Sequence, residues 1–328
     1  MAWWIFGAGF VLLALGGEGI IRGGVMLKRA LGFSPVIIGL FVLSVGTSSP
    51  TLAIAMQGAA SRIPDIAIGT VIGATLINLL LVLGLGALIQ PMSSAPKVVL
   101  RDGGTLLIAS GALVLLALHG VIARREGAVL LAAFLVYAAI AAVTDWRRSA
   151  DHSVACAEAE KRMTGEHPSI GGGLFVLIVG GICLLMGAHF LVGGTLSLAT
   201  QWNLPLATVA ITLMAFAASV PVLLVTAVAA ARGHTEIAVG HLMTASVFNL
   251  FGVLGIAALV HPLRISPAFA TSDVFVVLGA VVLLVPLLSA NWRLTRPKAA
   301  LLLLAYIGYM GYLAWRQGLV PHALLGMA

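Results

Sequence analysis

Residues 44–55 read SVGTSSPTLAIA. They sit in the middle of an apolar segment running from about Pro35 to Ala60, where an unbroken helix is most needed. Proline lacks a backbone donor and clashes with the preceding turn, so the spacing predicts a helix break at Pro50. Freed polar groups in hydrocarbon are costly unless protein or a cavity receives them. The break therefore marks an internal polar chamber rather than a lipid-facing kink.

Working outward, the chain of 328 residues is 61% hydrophobic and 9% charged. Soluble domains carry roughly 25% charged residues, and about 20 apolar residues span a bilayer. Ten spans are predicted, at about 3–21, 34–59, 65–90, 104–120, 124–145, 170–193, 205–231, 236–260, 271–289 and 297–316. The fold class expected is an all-α polytopic membrane protein. The first span has no basic leader or cleavage site and reads as a true span, with Trp3 and Trp4 in the interfacial belt. Segment 146–169 is the longest polar stretch and divides the chain into two five-helix repeats, 1–145 and 170–328.

With the N-terminus outside, 13 of the 18 Lys and Arg residues fall on the inside. The positive-inside rule selects this orientation, with both termini outside and the middle loop cytoplasmic. The net charge of +7 is dispersed between apolar runs, so it argues for topology and against nucleic acid. Cys156 and Cys183 form no disulfide framework. No nucleophile–base pair or metal cluster of recognisable spacing points to an enzyme, and no cofactor is expected. The partners expected are the lipid bilayer and a transported ion or small solute.

The opening stretch has a partner in the second half of the chain. VGTSSPTL at 45–52 aligns with FAASVPVL at 216–223, pairing Pro50 with Pro221. The same offset aligns the segment from Asp65 with that from Glu236, superposing Asn78 on Asn249, and it pairs Glu18 with His189. Five spans per half is an odd number, so the halves enter the membrane from opposite sides. Inverted repeats of this kind place a site at the midplane between interrupted helices. Thr47, Ser48, Thr51 and Ser219 offer hydroxyl oxygens there, and Asn78 and Asn249 face them. Single hydroxyls often bond to their own turn, but a buried amide needs several partners. Helix breaks are expected at both Pro50 and Pro221.

Three further residues carry charge or a proton. Glu18 stands four residues before Arg22, a helix ion-pair spacing. His189 and His241 could relay protons, being near-neutral titrating groups, or could serve in packing. Asp65 and Glu236 stand at symmetric helix starts, where carboxylates suit the helix dipole.

On these motifs the chain resembles the cation/calcium exchanger superfamily, the sodium/calcium exchanger-like antiporters. The resemblance rests on GTSSPT at 46–51 with AASVPV at 217–222, and on GTVIGATLIN at 69–78 with GHLMTASVFN at 240–249. It implies the exchanger fold, alternating access, and gate helices in the first and sixth spans. It also implies the inner (cytoplasmic) membrane of a bacterium. The family's glutamates after the motif prolines are Thr51 and Val222 here. A calcium ion wants six to eight oxygens with carboxylate charge. The expectation is therefore a secondary transporter for a monovalent cation or other solute. The alternatives are a calcium/cation antiporter with an atypical site and a transport-inactive scaffold or sensor.

Overall fold

The computed structural model describes residues 2–30, 44–146, 169–231 and 235–317. Nearly all of the 146–169 segment, and the start of the second expected span, lie outside these residues. The helices are α1 (Ala2–Ala30), α2 (Ser49–Ala60), α3 (Pro64–Ile89), α4 (Pro96–His119) and α5 (Arg124–Trp146). They continue as α6 (Ile170–Gln201), α7 (Leu206–Ala231), α8, α9 (Phe269–Ser289) and α10 (Arg296–Arg316). Here α8 is Thr235–Val247 extended by Phe248–Val253 and Leu254–Val260. Among the described residues, nine of these are long and apolar enough to cross a membrane.

The repeat is visible in the elements themselves. Within α3, Pro64–Leu76 is α-helical, Ile77–Val82 is a π-helical turn and Leu83–Ile89 is α-helical again. Each of these bounds recurs in α8 at the offset that takes Pro50 to Pro221, π-turn included.

Four two-residue strands establish the inversion: β1 (Met92–Ser93), β2 (Val121–Ile122), β3 (Leu263–Arg264) and β4 (Arg293–Leu294). Strand β1 pairs antiparallel with β4, with Met92 opposite Leu294; β2 pairs with β3, with Val121 opposite Arg264. Strands β1 and β2 flank α4, so the two small sheets cap opposite ends of that helix. The sequence equivalent of β1 is β3, which lies in the other sheet. Equivalent segments thus sit at opposite ends of the molecule.

Helices α3 and α8 form the centre. The most apolar stretch of α3 is 94% buried and that of α8 is 83% buried, against 28% for α1 and 22% for α10. A helix apolar all round and enclosed by protein is a core helix. Helices α1 and α6 form the outer pair and exceed their expected lengths, at 29 and 32 residues. At 1.5 Å per residue α6 is about 48 Å long, more than the roughly 30 Å of a bilayer's hydrocarbon.

Glycines every seven residues let α1 and α6 meet backbone to backbone. A Cβ on Gly9, Gly16 or Gly23 would lie 2.5, 2.6 or 2.7 Å from the backbone nitrogen of Leu191, Leu184 or Leu177. From the other side, a Cβ on Gly187 would lie 2.6 Å from Leu13 N, and one on Gly194 2.7 Å from Phe6 N. Small residues at an interface let membrane helices approach this closely. Trp3 at the start of α1 packs on Trp202 just past α6, ring centroids 5.2 Å apart. Trp3 and Trp4 are exposed.

A candidate ion site between the two halves

The segment SVGTSSPT approaches the centre as a helical turn over 44–47, a non-helical turn at Ser48, and then α2. Pro50 has no N–H to give to the carbonyl of Gly46, four residues back. Ser49 Oγ fills that role, donating to Gly46 O at 2.6 Å. The adjacent serine thus satisfies a carbonyl that the proline would otherwise strand. Ser49→Ala is expected to destabilise the protein by about 1–3 kcal/mol, the cost of an unsatisfied buried acceptor. Ser48→Ala should cost no stability. A thermal melt of both variants in detergent checks this.

The second half differs from the expectation. Helix α7 does not break at Pro221, which lies inside its α-helical part, Ala215–Ala231. A π-turn lies at Ala210–Met214, about two to three turns earlier in the same helix. The equivalent of Ser49 is Val220, which has no hydroxyl to give to the carbonyl of Ala217. The two prolines nevertheless converge. A Cβ built on Gly17 of α1 would lie 3.4 Å from Pro50 Cγ and 3.7 Å from Pro221 Cγ.

Around this junction the halves cross over. Helix α2 packs on α8 and on its π-turn, and α7 packs on the π-turn of α3. Asn78 and Asn249 are the second residues of those two π-turns. Ser48, Ser219, Asn78 and Asn249 are each no more than 2% exposed. The Oγ or Oδ1 of each has no hydrogen-bond partner among the described residues. These four buried oxygens form two pairs at the repeat offset, whereas nearly every buried polar atom in a folded protein is satisfied.

The first half also ties its hydroxyls to His241. The His241 Nδ1 lies 3.1 Å from Ser44 Oγ, and its Nε2 lies 3.3 Å from Thr47 Oγ1. Thr47 further donates to Ser44 O at 3.2 Å. The equivalent of His241 is Thr70, and the equivalents of Ser44 and Thr47 are Ala215 and Ala218. Nothing polar stands at those alanines, and Thr70 Oγ1 is buried without a partner among the described residues. Sequence reading noted Thr70 in the motif but did not place it at the site, because its isolation depends on alanines in the other half. Thr51 is also buried.

Two named residues lie away from the centre. Glu18 pairs with Arg22 at 2.6 Å, both side chains more than half exposed. His189 is exposed on α6, its Nδ1 3.3 Å from Gln57 Nε2. Each sits on the outer helix pair. Among the described residues, no group of three or more His, Cys, Asp or Glu side chains could hold a metal ion.

Two inverted halves interlocked around buried neutral oxygens, inside a shell of bilayer-length helices, define an inverted-repeat membrane transporter. The family model for the sodium/calcium exchanger protein matches residues 1–143 and 172–315, and the chain belongs to that family. It is 27% identical over 305 residues to the putative antiporter CaxA of Alkalimonas amylolytica, covering 92% of this chain and 95% of that one. It is 25% identical to the sodium/calcium exchanger MaX1 of Methanosarcina acetivorans, again over 92% and 95% of the two chains. A solved structure of the sodium-calcium exchanger NCX_Mj matches with a TM-score of 0.65 at 26% identity, covering 94% of this chain and 97% of that chain. The protein is an integral membrane antiporter of the exchanger type.

Proposed function

We propose that this antiporter moves a monovalent cation, held by neutral oxygens between its halves. The single observation carrying the reading is that the amide oxygens of Asn78 and Asn249, like the hydroxyls of Ser48 and Ser219, are buried with no hydrogen-bond partner among the described residues. Thr47, Thr51 and Thr70 add further oxygen atoms. Hydroxyl, amide and carbonyl oxygens can replace the hydration shell of a monovalent ion. A divalent ion has roughly four times the Born desolvation cost, which scales as charge squared, and calls for carboxylates. The positions after the motif prolines supply Thr51 and Val222. The calcium named for the relatives is therefore not the ion assigned to this chain.

Access alternates as the α1–α6 pair shifts across the core of α2, α3, α7 and α8. Gly17 of that pair rides on Pro50 and Pro221, so the moving surface touches both halves at the site. Glu18 travels with the pair on its exposed face, and His189 reaches from the pair to Gln57 of the core helix α2. His241 stays with the core and holds the first-half hydroxyls in place. The distribution of Lys and Arg supports an orientation with both termini outside.

Purified protein in liposomes, loaded with opposing sodium, potassium, proton and calcium gradients, tests the reading. Exchange of a monovalent cation that proceeds without calcium is the expected result. Calcium uptake at micromolar concentration, driven by sodium, would overturn the choice of ion. Silence under every gradient would instead favour a scaffold or sensor.

A further inference from the structure

Two carboxylates are fully buried away from the central site, Asp102 on α4 and Asp273 on α9. The offset that takes Pro50 to Pro221 also takes Asp102 to Asp273, so they are equivalent positions of the repeat. Each accepts a hydrogen bond at 3.0 Å from a tyrosine of the next helix: Tyr137 of α5 for Asp102, Tyr309 of α10 for Asp273. Each also meets an arginine. Arg101 Nε lies 2.6 Å from Asp102 Oδ1, and Arg316 Nη1 lies 3.3 Å from Asp273 Oδ2.

The arginines are not equivalent residues. Arg101 precedes its aspartate on α4 and donates at 2.7 Å to Thr144 Oγ1 on α5. Arg316 lies on α10 and donates at 2.7 Å to Ser272 Oγ, which precedes the aspartate on α9. Ser272 is the equivalent of Arg101. Between α5 and α10 the register slips by a single position, so that Tyr137 matches Tyr309, and in that register Arg316 is the equivalent of Thr144. The guanidinium and the hydroxyl have changed places between helices, while aspartate, tyrosine, arginine and hydroxyl are all retained. Retention of the cluster across the repeat, with its parts exchanged, marks the interaction rather than any single position as what matters.

One contact of the first cluster reaches the core helix α8. The Tyr137 hydroxyl also lies 3.1 Å from Thr244 Oγ1 on α8. Thr244 stands between His241 and Asn249 on the same helix. Its equivalent in the first half is Gly73, which offers no hydroxyl to Tyr309.

We propose that these are two copies of one clasp, each pinning the last two helices of its half across a buried aspartate. In the first half, Tyr137 extends the clasp to α8 and acts as a positioning residue, fixing the rotation that aims His241 and Asn249 at the site. Removing one member of a buried ion pair leaves an uncompensated charge, so a clasp can exchange its partners between helices but cannot lose one.

Two measurements test it. Arg101→Ser should lower the thermal midpoint in detergent by several degrees, and Arg101→Ser with Thr144→Arg, which copies the second half's arrangement, should recover most of that loss. A double variant no more stable than the single one overturns the clasp. Separately, Tyr137→Phe should raise the KM of the transported cation at least three-fold with kcat nearly unchanged, while Tyr309→Phe leaves both alone. Equal effects of the two tyrosines would overturn the positioning role. The KM arm rests on the cation reading above, whereas the exchange arm does not. If no tested cation moves, the exchange arm alone decides the clasp, and the rotation of α8 is then read from the accessibility to thiol reagents of a cysteine placed at Asn249. That accessibility should change with Tyr137→Phe and not with Tyr309→Phe, and no difference between the two overturns the positioning role.

Discussion

Replacing Asn78 and Asn249 together by leucine should make the protein more stable and nearly inactive. Each amide oxygen is buried and unpartnered among the described residues, and an unsatisfied buried polar group costs about 1–3 kcal/mol. The chain bears that cost twice, at mirror positions, each on a π-turn. Such turns interrupt helices most often where function needs them. Leucine of similar volume removes the penalty and fills the same space, so the melting temperature should rise. Losing two ligands at a similar energy each should cut cation exchange by roughly 100-fold or more. Flux in liposomes and a melt on the same preparations check both signs. A double variant that is less stable and still transports would make the amides packing glue between helices, and the site assignment would fail.

A second large effect is expected at the seam between α1 and α6. In an ordinary helix interior, Gly→Ala gains about 1 kcal/mol from reduced backbone freedom. Gly7→Ala should show that gain, because a Cβ there meets nothing within 4 Å. Gly16→Ala should do the reverse. Its Cβ would lie 2.6 Å from Leu184 N and 2.8 Å from Gly180 O, backbone atoms that cannot rotate away. Overpacking typically costs about 1–3 kcal/mol, and here the two helices must separate along their length. Transport should drop by at least ten-fold, since the pair carries Gly17 against both prolines. Equal behaviour of the two alanine variants, by flux and by melting, would show that the seam is not the moving part.

Much of this architecture was legible before any coordinates. The constant offset between the halves predicted the equivalence of Pro50 with Pro221, and the prolines do converge on one glycine. The i to i+4 spacing of Glu18 and Arg22 foretold their ion pair. What stayed hidden depends on contacts between distant segments. The seven-residue glycine series is plain in both helices, but only their juxtaposition shows that it is a seam. Asp102 and Asp273 also share the offset. Their clasp escaped notice because the arginine switches helix, so no aligned position shows it twice. Pro221 was misread as a break because proline's missing donor was weighed alone. A proline can sit inside a continuous helix, as Pro221 does, and only the first half adds the serine that mends its carbonyl.

The two small sheets have a consequence for biogenesis. Each draws one strand from either half, like a handshake at both ends of α4. While the ribosome is still making α6 and α7, Met92–Ser93 and Val121–Ile122 have been inserted without their mates, and their backbone donors and acceptors must make do with headgroups and water. Closure waits for Leu263–Arg264 and then Arg293–Leu294 to emerge, so the earlier-made helices hold a provisional shape until the last two spans are threaded.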